Sequence, residues 1–326
     1  MASAATGFDV AVDWPLRAML WPTTDGAEPE YLFAVVTHHI AVDGESLLPL
    51  VSDVVTAYRA RTAGAVPQWS PLPVQFADFA IWQHDVLGSA DDPQSVVGRQ
   101  LDYWREQLAD APDVLELPAD RRRPAVASHV GARTSLTIPA EVGERITAVA
   151  AERGITPFMV VHAALAVLLA RLSDTDDIAV GSPIAGRGDE ALDPLVGMFV
   201  NSLVLRTRIV SGETFDALLE RVRTTDLEAF ANSDVPFETV VDALDPVRSE
   251  AFAPLAQIAL SFNPGASVDG ADVTVDDLRV APIAAPLVPA HQDMTVVVTS
   301  GPAGEPWSAM ATYATDLFDE PTVSSM

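Results

Sequence analysis

Helix-type and strand-type patterns of hydrophobic residues share the chain and predict a mixed α/β fold. The first predicted strand is the apolar run Tyr31 to His38. After Asp43-Gly44, apolar residues at helical spacing predict a helix that starts near Leu47. Further helices are predicted at 76–87, 96–108, 140–153, 157–172, 215–230 and from 236, and further strands at 134–138, 178–183, 200–209, 256–262, 273–280, 294–300 and 307–313. Such a mixture of helices and strands is typical of a mixed α/β architecture. The sequence contains no internal repeat.

One stretch interrupts this pattern and predicts a domain boundary. Residues 110–127 contain prolines and the run Arg121-Arg122-Arg123, a composition typical of an exposed linker.

Composition and charge exclude several classes of function. The chain has no cysteine, so disulfides and thiolate nucleophiles are excluded, and its six histidines form no H-E-x-x-H pattern, so we expect no metal. A net charge of -27 repels phosphate and argues against nucleic-acid binding. The longest apolar run, Phe158 to Leu172, is interrupted by His162 and Arg171, which predicts a buried core helix and no membrane span. With no cationic segment ahead of an apolar run at the amino terminus, we expect a soluble, cytoplasmic protein.

The candidate chemistry lies at the turn between the first predicted strand and the helix after it. Adjacent residues of a strand point in opposite directions, so at most one of His38 and His39 faces a given cavity. Asp43 can cap the helix or pair with a cation, and Gly44 allows an unusual backbone geometry or a close ligand approach. A lone histidine is more often a satisfied buried group, but the grouping of imidazole, carboxylate and glycine on one turn favours function.

These residues resemble the HHxxxDG signature of the condensation domains of nonribosomal peptide synthetases, which have a chloramphenicol-acetyltransferase-like fold. Other stretches resemble family elements in the family's order: 76–82, 196–206, 232–238 and, in degenerate form, 248–255. Asp316-Leu317-Phe318 is similar to the latch region that precedes an adenylation domain. From about Gly7 onward the chain follows the family pattern.

The resemblance implies a V-shaped pair of α+β lobes with a tunnel between them. Residues 1–118 would form the remainder of the N-terminal lobe, and residues 119–326 the C-terminal lobe. Family motifs that normally precede the histidines, including an RHxxLRT motif, are not found in this sequence. We therefore expect an incomplete first lobe, as in a fragment of a larger synthetase gene or a chain with a misplaced start codon.

The resemblance also implies the reaction, which is amide bond formation between an upstream acyl or peptidyl thioester and a downstream aminoacyl thioester. Acyl and peptidyl carrier proteins would deliver both substrates on phosphopantetheine arms, so no cofactor would bind directly, and an adenylation domain would be adjacent. The second histidine of the motif faces the tunnel, which assigns His39 as a general base or as the group that holds the amine. His38, Asp43 and Gly44 complete the implied catalytic set.

Several residues are expected to support this set. Asp43 is expected to be structural and to pair with an arginine, with Arg206 the best candidate and Arg17 the second. Gly44 is expected to line the approach of the donor thioester. Asn201 and Trp82 are weaker candidates for substrate or structural support, since strand packing and core burial explain them equally well.

Three other cations and histidines are assigned no chemistry. Arg187 and Arg248 are predicted to be surface or loop cations, and His162 is predicted to be a satisfied core group within its helix.

Three other functions compete with peptide bond formation. An epimerisation domain would need a Ser-Trp pair after the motif, whereas this sequence has Glu45-Ser46-Leu47. Dihydrolipoyl and chloramphenicol-type acyltransferases place the histidines near their carboxyl end, which this chain does not. The strongest rival is a non-catalytic, truncated remnant that at most docks a carrier protein.

Overall fold

The computed structural model describes residues 6–23, 30–265, 273–276, 278–281, 283 and 288–326. The chain packs as two compact units. The first unit holds the residues up to Val86 together with Ala185–Val200, and the second holds Leu87–Ile184 and Asn201–Met326. The predicted boundary between residues 118 and 119 falls inside the second unit, and the assignment of two lobes stays a prediction.

The first unit contains a two-stranded antiparallel sheet and two helices. Its elements are β1 (Leu16–Pro22), β2 (Tyr31–Thr37), a 3-10 turn (His39–Ala41), α1 (Leu47–Thr62) and α2 (Phe76–Leu87), of which Leu87 itself belongs to the second unit. In the sheet Leu16 pairs with Thr37, so β1 lies beside the strand that leads to the histidines.

The segment Ala185–Val200 leaves one strand of the second unit, packs in the first unit and returns to the next strand. It contributes the buried side chains of Leu192, Leu195 and Phe199 to a small core. Phe76 and Phe79 of α2 pack against this core, with ring centroids 5.1 Å and 4.8 Å from that of Phe199. This aromatic contact fixes the segment close to the start of α2.

A six-stranded mixed sheet forms the centre of the second unit, in the order β3-β10-β9-β6-β4-β5. Its strands are β3 (Gly131–Ile138), β4 (Asp177–Ile184), β5 (Asn201–Arg208), β6 (Ile258–Asn263), β9 (Met294–Thr299) and β10 (Trp307–Ala314). The pairs β4–β6 and β6–β9 are parallel and the remaining pairs are antiparallel. Strands β7 (Val273–Val275) and β8 (Leu278–Val280) form a separate antiparallel pair.

Helices cover this sheet and supply its core. They are α3 (Val96–Gln107), α4 (Ala140–Arg153), α5 (Pro157–Ser173), α6 (Phe215–Ala231), α7 (Phe237–Leu244) and α8 (Glu320–Ser325). Thr156 caps α5 by accepting a hydrogen bond from the backbone of Met159 at 3.3 Å, and Pro157 occupies the first helical position, which its fixed φ favours. No single helix of the described residues could cross a membrane; only α4 and α5 together pass on length and composition, with a bend of 109° between them.

The strand and helix predictions are confirmed with shifts of a few residues at element ends, and three elements differ. Strand β1 and helix α8 were not expected from the hydrophobic pattern. The predicted strand 273–280 is a hairpin, because Asp276 adopts a left-handed conformation with φ of 52° between two three-residue strands. Residue 277 lies outside the described residues.

Most of residues 110–127 are exposed, as predicted, but the stretch is not a free linker, because several of its residues are bound to the second unit. Leu115 is buried in the main core, and its backbone N–H donates to Gln257 Oε1 at 2.8 Å. Farther along, Asp120 accepts hydrogen bonds from the backbone of Asp319 and from the hydroxyl of Thr322, both at 2.7 Å. Proline has no N–H to donate, but its neighbours in this stretch do form hydrogen bonds. The proline-containing stretch is therefore held on the second unit by those neighbours.

Candidate active site

The two adjacent histidines lie at the end of β2 in different environments. His38 is partly buried, and its Nδ1 accepts a hydrogen bond from the backbone N–H of Ile40 at 3.1 Å. The edge of its ring contacts Phe8, with the ring centroids 6.1 Å apart. Because Nδ1 is used as an acceptor, the neutral imidazole of His38 carries its proton on Nε2. His38 therefore stabilises the turn.

His39 is exposed at the start of the 3-10 turn. Within the described residues, no hydrogen bond or ion pair to its ring is found. An imidazole without protein partners is available to take a proton from a substrate or to orient a hydrogen-bond donor. The two adjacent histidines therefore differ: His38 is bound to the turn and His39 is exposed, while the catalytic roles assigned to them stay predictions.

Asp43 is buried and its carboxylate is fully engaged. Oδ1 accepts hydrogen bonds from the Ser46 hydroxyl at 2.6 Å and from the Ser46 backbone at 2.9 Å. Oδ2 accepts one from the backbone of Phe199 at 2.9 Å, and the backbone N–H of Asp43 donates to Gly197 O at 3.1 Å. These contacts tie the histidine turn to the segment Ala185–Val200.

Two opposing effects set the pKa of Asp43. Burial acts to raise the pKa, because it disfavours the charged carboxylate. The hydrogen bonds from Ser46, Phe199 and Arg187 together outweigh burial and hold the pKa of Asp43 below its usual value. Asp43 is therefore an ionised anchor rather than a base.

The cation that pairs with Asp43 is Arg187, which sequence analysis assigned to the surface. Its side chain is only 3% exposed, and its Nη2 lies 3.1 Å from Asp43 Oδ1. Nη1 donates to the carbonyl oxygens of Leu192 and Leu195, and the guanidinium lies 4.1 Å from the centre of the Phe199 ring. Such a buried pair depends on the hydrogen bonds that replace its lost hydration.

The two arginines expected to pair with Asp43 have other partners. Arg206 forms a bidentate ion pair with Asp177, at 2.8 Å and 2.6 Å, and donates to the carbonyl of Ala109 at 2.6 Å. Arg17 lies over the ring of Phe8 at 3.8 Å and 3.7 Å from Asp13. The predicted pairing of Asp43 with Arg206 or Arg17 is therefore wrong. Strand position made Arg206 attractive, but its side chain serves the core of the second unit.

Packing within the protein explains neither Gly44 nor Trp82. Gly44 has no left-handed backbone conformation, and a Cβ placed on it would meet nothing within 4 Å. The protein itself therefore does not require glycine at this position. Trp82 is 59% exposed on α2, so core burial does not explain it; its ring centroid lies 6.0 Å from that of Phe79.

Asn201 acts as a clamp at the start of β5. Its Nδ2 donates to the carbonyls of Ser233 and Val235 at 2.9 Å and 2.8 Å, and its Oδ1 accepts from the backbone of Phe237 at 3.0 Å. These bonds fix the loop ahead of α7. The supporting contribution of Asn201 is thus structural within the second unit.

Sequence reasoning missed the residues that complete the Asp43 network, which are Ser46, Arg187, Gly197 and Phe199. Ser46 occupies the helix N-cap position, where serine is common and attracts no notice. Gly197 and Phe199 lie in a stretch that the sequence singled out by resemblance alone. In the part of the chain that the structure describes, no group of three histidine or acidic side chains could hold a metal ion.

The mixed sheet with its covering helices has a chloramphenicol-acetyltransferase-like fold, and the turn after β2 presents an imidazole, that of His39, with no partner among the described residues. The family model of the condensation domain matches residues 1–326. The chain belongs to the condensation-domain family of nonribosomal peptide synthetases.

Individual relatives agree with this assignment. The chain is 42% identical to the dimodular nonribosomal peptide synthase of Bacillus subtilis, over 98% of this chain and 13% of that protein. It is 41% identical to the isonitrile lipopeptide synthase of Mycobacterium tuberculosis, over 97% of this chain and 12% of that protein. It therefore spans about an eighth of each of these relatives.

A solved structure is also similar to this chain. The X-domain from teicoplanin biosynthesis, solved in complex with OxyB, superimposes with a TM-score of 0.89 and 28% identity, covering 99% of this chain and 70% of that one.

Proposed function

We propose that the chain catalyses amide bond formation between two thioesters held on carrier proteins. The donor is an acyl or peptidyl thioester, and the acceptor is an aminoacyl thioester whose amine attacks it. The observation that carries the proposal is the exposed, unengaged imidazole of His39 on a turn anchored by buried Asp43 and Arg187. Membership of the condensation-domain family supports the same reaction in general.

The chemical step needs one base and no other reagent. The α-amine nitrogen attacks the thioester carbonyl, and the C–N bond forms as the carbonyl π electrons move to oxygen. Collapse of this tetrahedral intermediate breaks the C–S bond and releases the phosphopantetheine thiolate. The proton lost by the amine passes to His39 Nε2 or Nδ1 and from there to the departing thiolate.

Magnitudes limit the contribution of His39 to the rate. A free α-amine has a pKa of about 8, so a fair fraction of it is already neutral near pH 7. A general base contributes roughly 10²- to 10⁴-fold, while holding two reactants in position can be worth an effective molarity of about 10⁵ M or more. His39 therefore orients the amine and accepts a late proton, and positioning of the tethered substrates supplies most of the acceleration.

Carrier proteins are the partners that this reaction requires. They bring the phosphopantetheine covalently, so the chain needs no dissociable cofactor. An adenylation domain that loads the acceptor carrier would be a further partner, and the reaction would take place in the cytoplasm.

A coupled assay tests the proposal. Two carrier domains, one loaded with an acylated aminoacyl thioester and one with an aminoacyl thioester, are mixed with the chain, and the amide product is measured by mass spectrometry. His39→Ala should lower kcat by about 10²-fold or more. His84→Ala is the matched control, because His84 is an exposed histidine of the same unit outside the turn. Equal turnover by the His39→Ala variant and the unchanged chain would overturn the role of His39.

A docking function is the second candidate, and the likeness to the X-domain solved with OxyB supports it. In that case the fold serves to hold a partner and the histidine turn is structural. Titration calorimetry with the loaded carrier domains separates the two functions. Binding of a carrier without amide formation, unchanged by His39→Ala, would favour docking over catalysis.

A further inference from the structure

The hydroxyl of Ser46 lies at the centre of the hydrogen-bond network beside the histidine turn. Ser46 is completely buried, and its hydroxyl lies within 3.0 Å of four polar atoms of the first unit. They are Asp43 Oδ1 at 2.6 Å, Gly197 O at 2.8 Å, Arg187 Nη2 at 2.9 Å and Gly197 N at 3.0 Å.

A serine hydroxyl has one proton and two lone pairs, so it can donate once and accept twice. The guanidinium of Arg187 and the N–H of Gly197 are donors, and they occupy both lone pairs. Asp43 and the Gly197 carbonyl are acceptors, and they compete for the single proton. The hydroxyl has no capacity left for any other group.

The hydroxyl of Ser46 forms these hydrogen bonds instead of the helix-capping hydrogen bond that its position favours. Ser46 is the N-cap of α1, where a serine side chain usually accepts a hydrogen bond from the first turn of the helix. Here its backbone is helical, with φ of -64° and ψ of -18°, and the side chain makes no cap hydrogen bond. The hydroxyl points instead to the Asp43–Arg187 pair and to the backbone of Gly197. The side chain thus forgoes the stabilisation that a cap gives to a helix, which indicates another function for it.

We propose that Ser46 is a positioning residue for His39, an inference that rests on the proposed amide-forming function. The hydroxyl fixes the separation between Asp43 and Gly197. Asp43 ends the turn that His39 begins, so a displacement of the carboxylate moves the backbone that carries the imidazole. Arg187 and Asp43 supply the charge, and Ser46 supplies a neutral link from Asp43 to Arg187 and Gly197 of the segment Ala185–Val200.

The first test measures the hydrogen bonds directly, without turnover. Ser46→Ala removes the acceptor for the N–H of Gly197, so amide hydrogen exchange of Gly197 should speed up by about tenfold or more, the factor expected from losing roughly 1.4 kcal/mol of protection. The imidazole resonances of His39 should shift in a ¹H–¹³C spectrum, while those of His84 should not. Ser52→Ala, an exposed serine of α1, is the control and should change neither quantity.

The second test measures turnover in the carrier assay. Ser46→Ala should lower kcat about 10- to 100-fold, since a misplaced catalytic group can cost this much, and leave both KM values within about twofold. A purely structural role would instead reduce the amount of folded protein without changing kcat per folded molecule. If Ser46→Ala does not fold, Ser46→Cys, which keeps the size of the side chain and weakens the hydrogen bonds, takes its place.

The outcomes separate this inference from the proposed function. Unchanged His39 resonances in the Ser46 variant would overturn the positioning role, whatever the turnover. Shifted resonances in a chain that forms no amide would keep the positioning role and overturn the proposed reaction.

Discussion

Arg187 and Asp43 form a buried ion pair, 3.1 Å between Nη2 and Oδ1, although 144 residues separate them in sequence. The pair joins the turn that carries His39 to a segment that the chain reaches much later. Removal of the pair should therefore change the free energy of unfolding as well as the turnover.

Arg187→Met should destabilise the protein by about 3–5 kcal/mol, because it leaves the carboxylate of Asp43 buried without its cation. The free energy of unfolding in urea measures this loss. Arg248→Met is the control, since Arg248 and Asp242 form an exposed pair worth about 0–1 kcal/mol. Equal urea midpoints for the two variants would contradict the importance of the buried pair.

The lowered pKa of Asp43 predicts a pH dependence of stability. The folded state holds this pKa below the ordinary aspartate value of about 3.9, so the ionised carboxylate stabilises the fold. Its contribution is fully present above that value and is lost as the pH falls through the lower folded-state pKa. The difference in unfolding free energy between the unchanged chain and Asp43→Asn should be largest near neutral pH and should shrink below about pH 4. A difference that stays constant down to pH 2 would contradict this assignment.

Two glycines of the first unit should differ in their response to alanine: Gly197 should be sensitive and Gly44 tolerant. A Cβ on Gly197 would lie 2.3 Å from Cδ2 of Phe76, so Gly197→Ala should cost about 1–3 kcal/mol through overpacking. A Cβ on Gly44 would meet nothing, so Gly44→Ala should change the unfolding free energy by less than about 0.5 kcal/mol.

The same pair tests the expectation that Gly44 lines the approach of the donor thioester. Gly44→Ala should then lower turnover in the carrier assay while the melting temperature stays unchanged. If turnover also stays unchanged, glycine at this position serves neither the fold nor the substrate.

Tyr103 offers a test in the second unit. Its buried hydroxyl has no hydrogen-bond partner within the described residues, and burial together with Glu228 and Asp226 raises its pKa. Tyr103→Phe removes a desolvated hydroxyl at no cost in hydrogen bonds, so stability should stay the same or rise by up to about 1 kcal/mol. Tyr58→Phe, at an exposed position on α1, is the control. A loss above about 1 kcal/mol in Tyr103→Phe alone would show that the hydroxyl has a partner, such as a buried water.

Local patterns predicted most of the fold because strands and helices follow short-range periodicity. Strand β1 was not predicted because the polarity of its residues does not follow their exposure. Leu16 is exposed, for example, whereas Arg17 is partly buried. The hairpin at Asp276 escaped because a single left-handed residue is invisible to periodicity.

Features of the candidate site that depend on neighbouring residues in the sequence were predictable, and contacts between residues far apart in the sequence were not. The expectation that at most one of His38 and His39 faces a given cavity followed from local backbone geometry. The cation for Asp43 did not, because nothing in the sequence distinguishes Arg187 in a loop from Arg206 in a strand. Only the folded chain shows that the loop arginine is buried against Phe199 and that Arg206 is committed to Asp177.

The segment Ala185–Val200 begins and ends at residues that face each other, since Ile184 and Asn201 are register partners of β4 and β5. Its ends are thus already joined by the sheet, and the cost of closing such a loop grows only slowly with its length. The strand register therefore does not depend on the segment: a two-residue turn between Ile184 and Asn201 would preserve it, but would remove Arg187, Gly197 and Phe199 from the histidine turn.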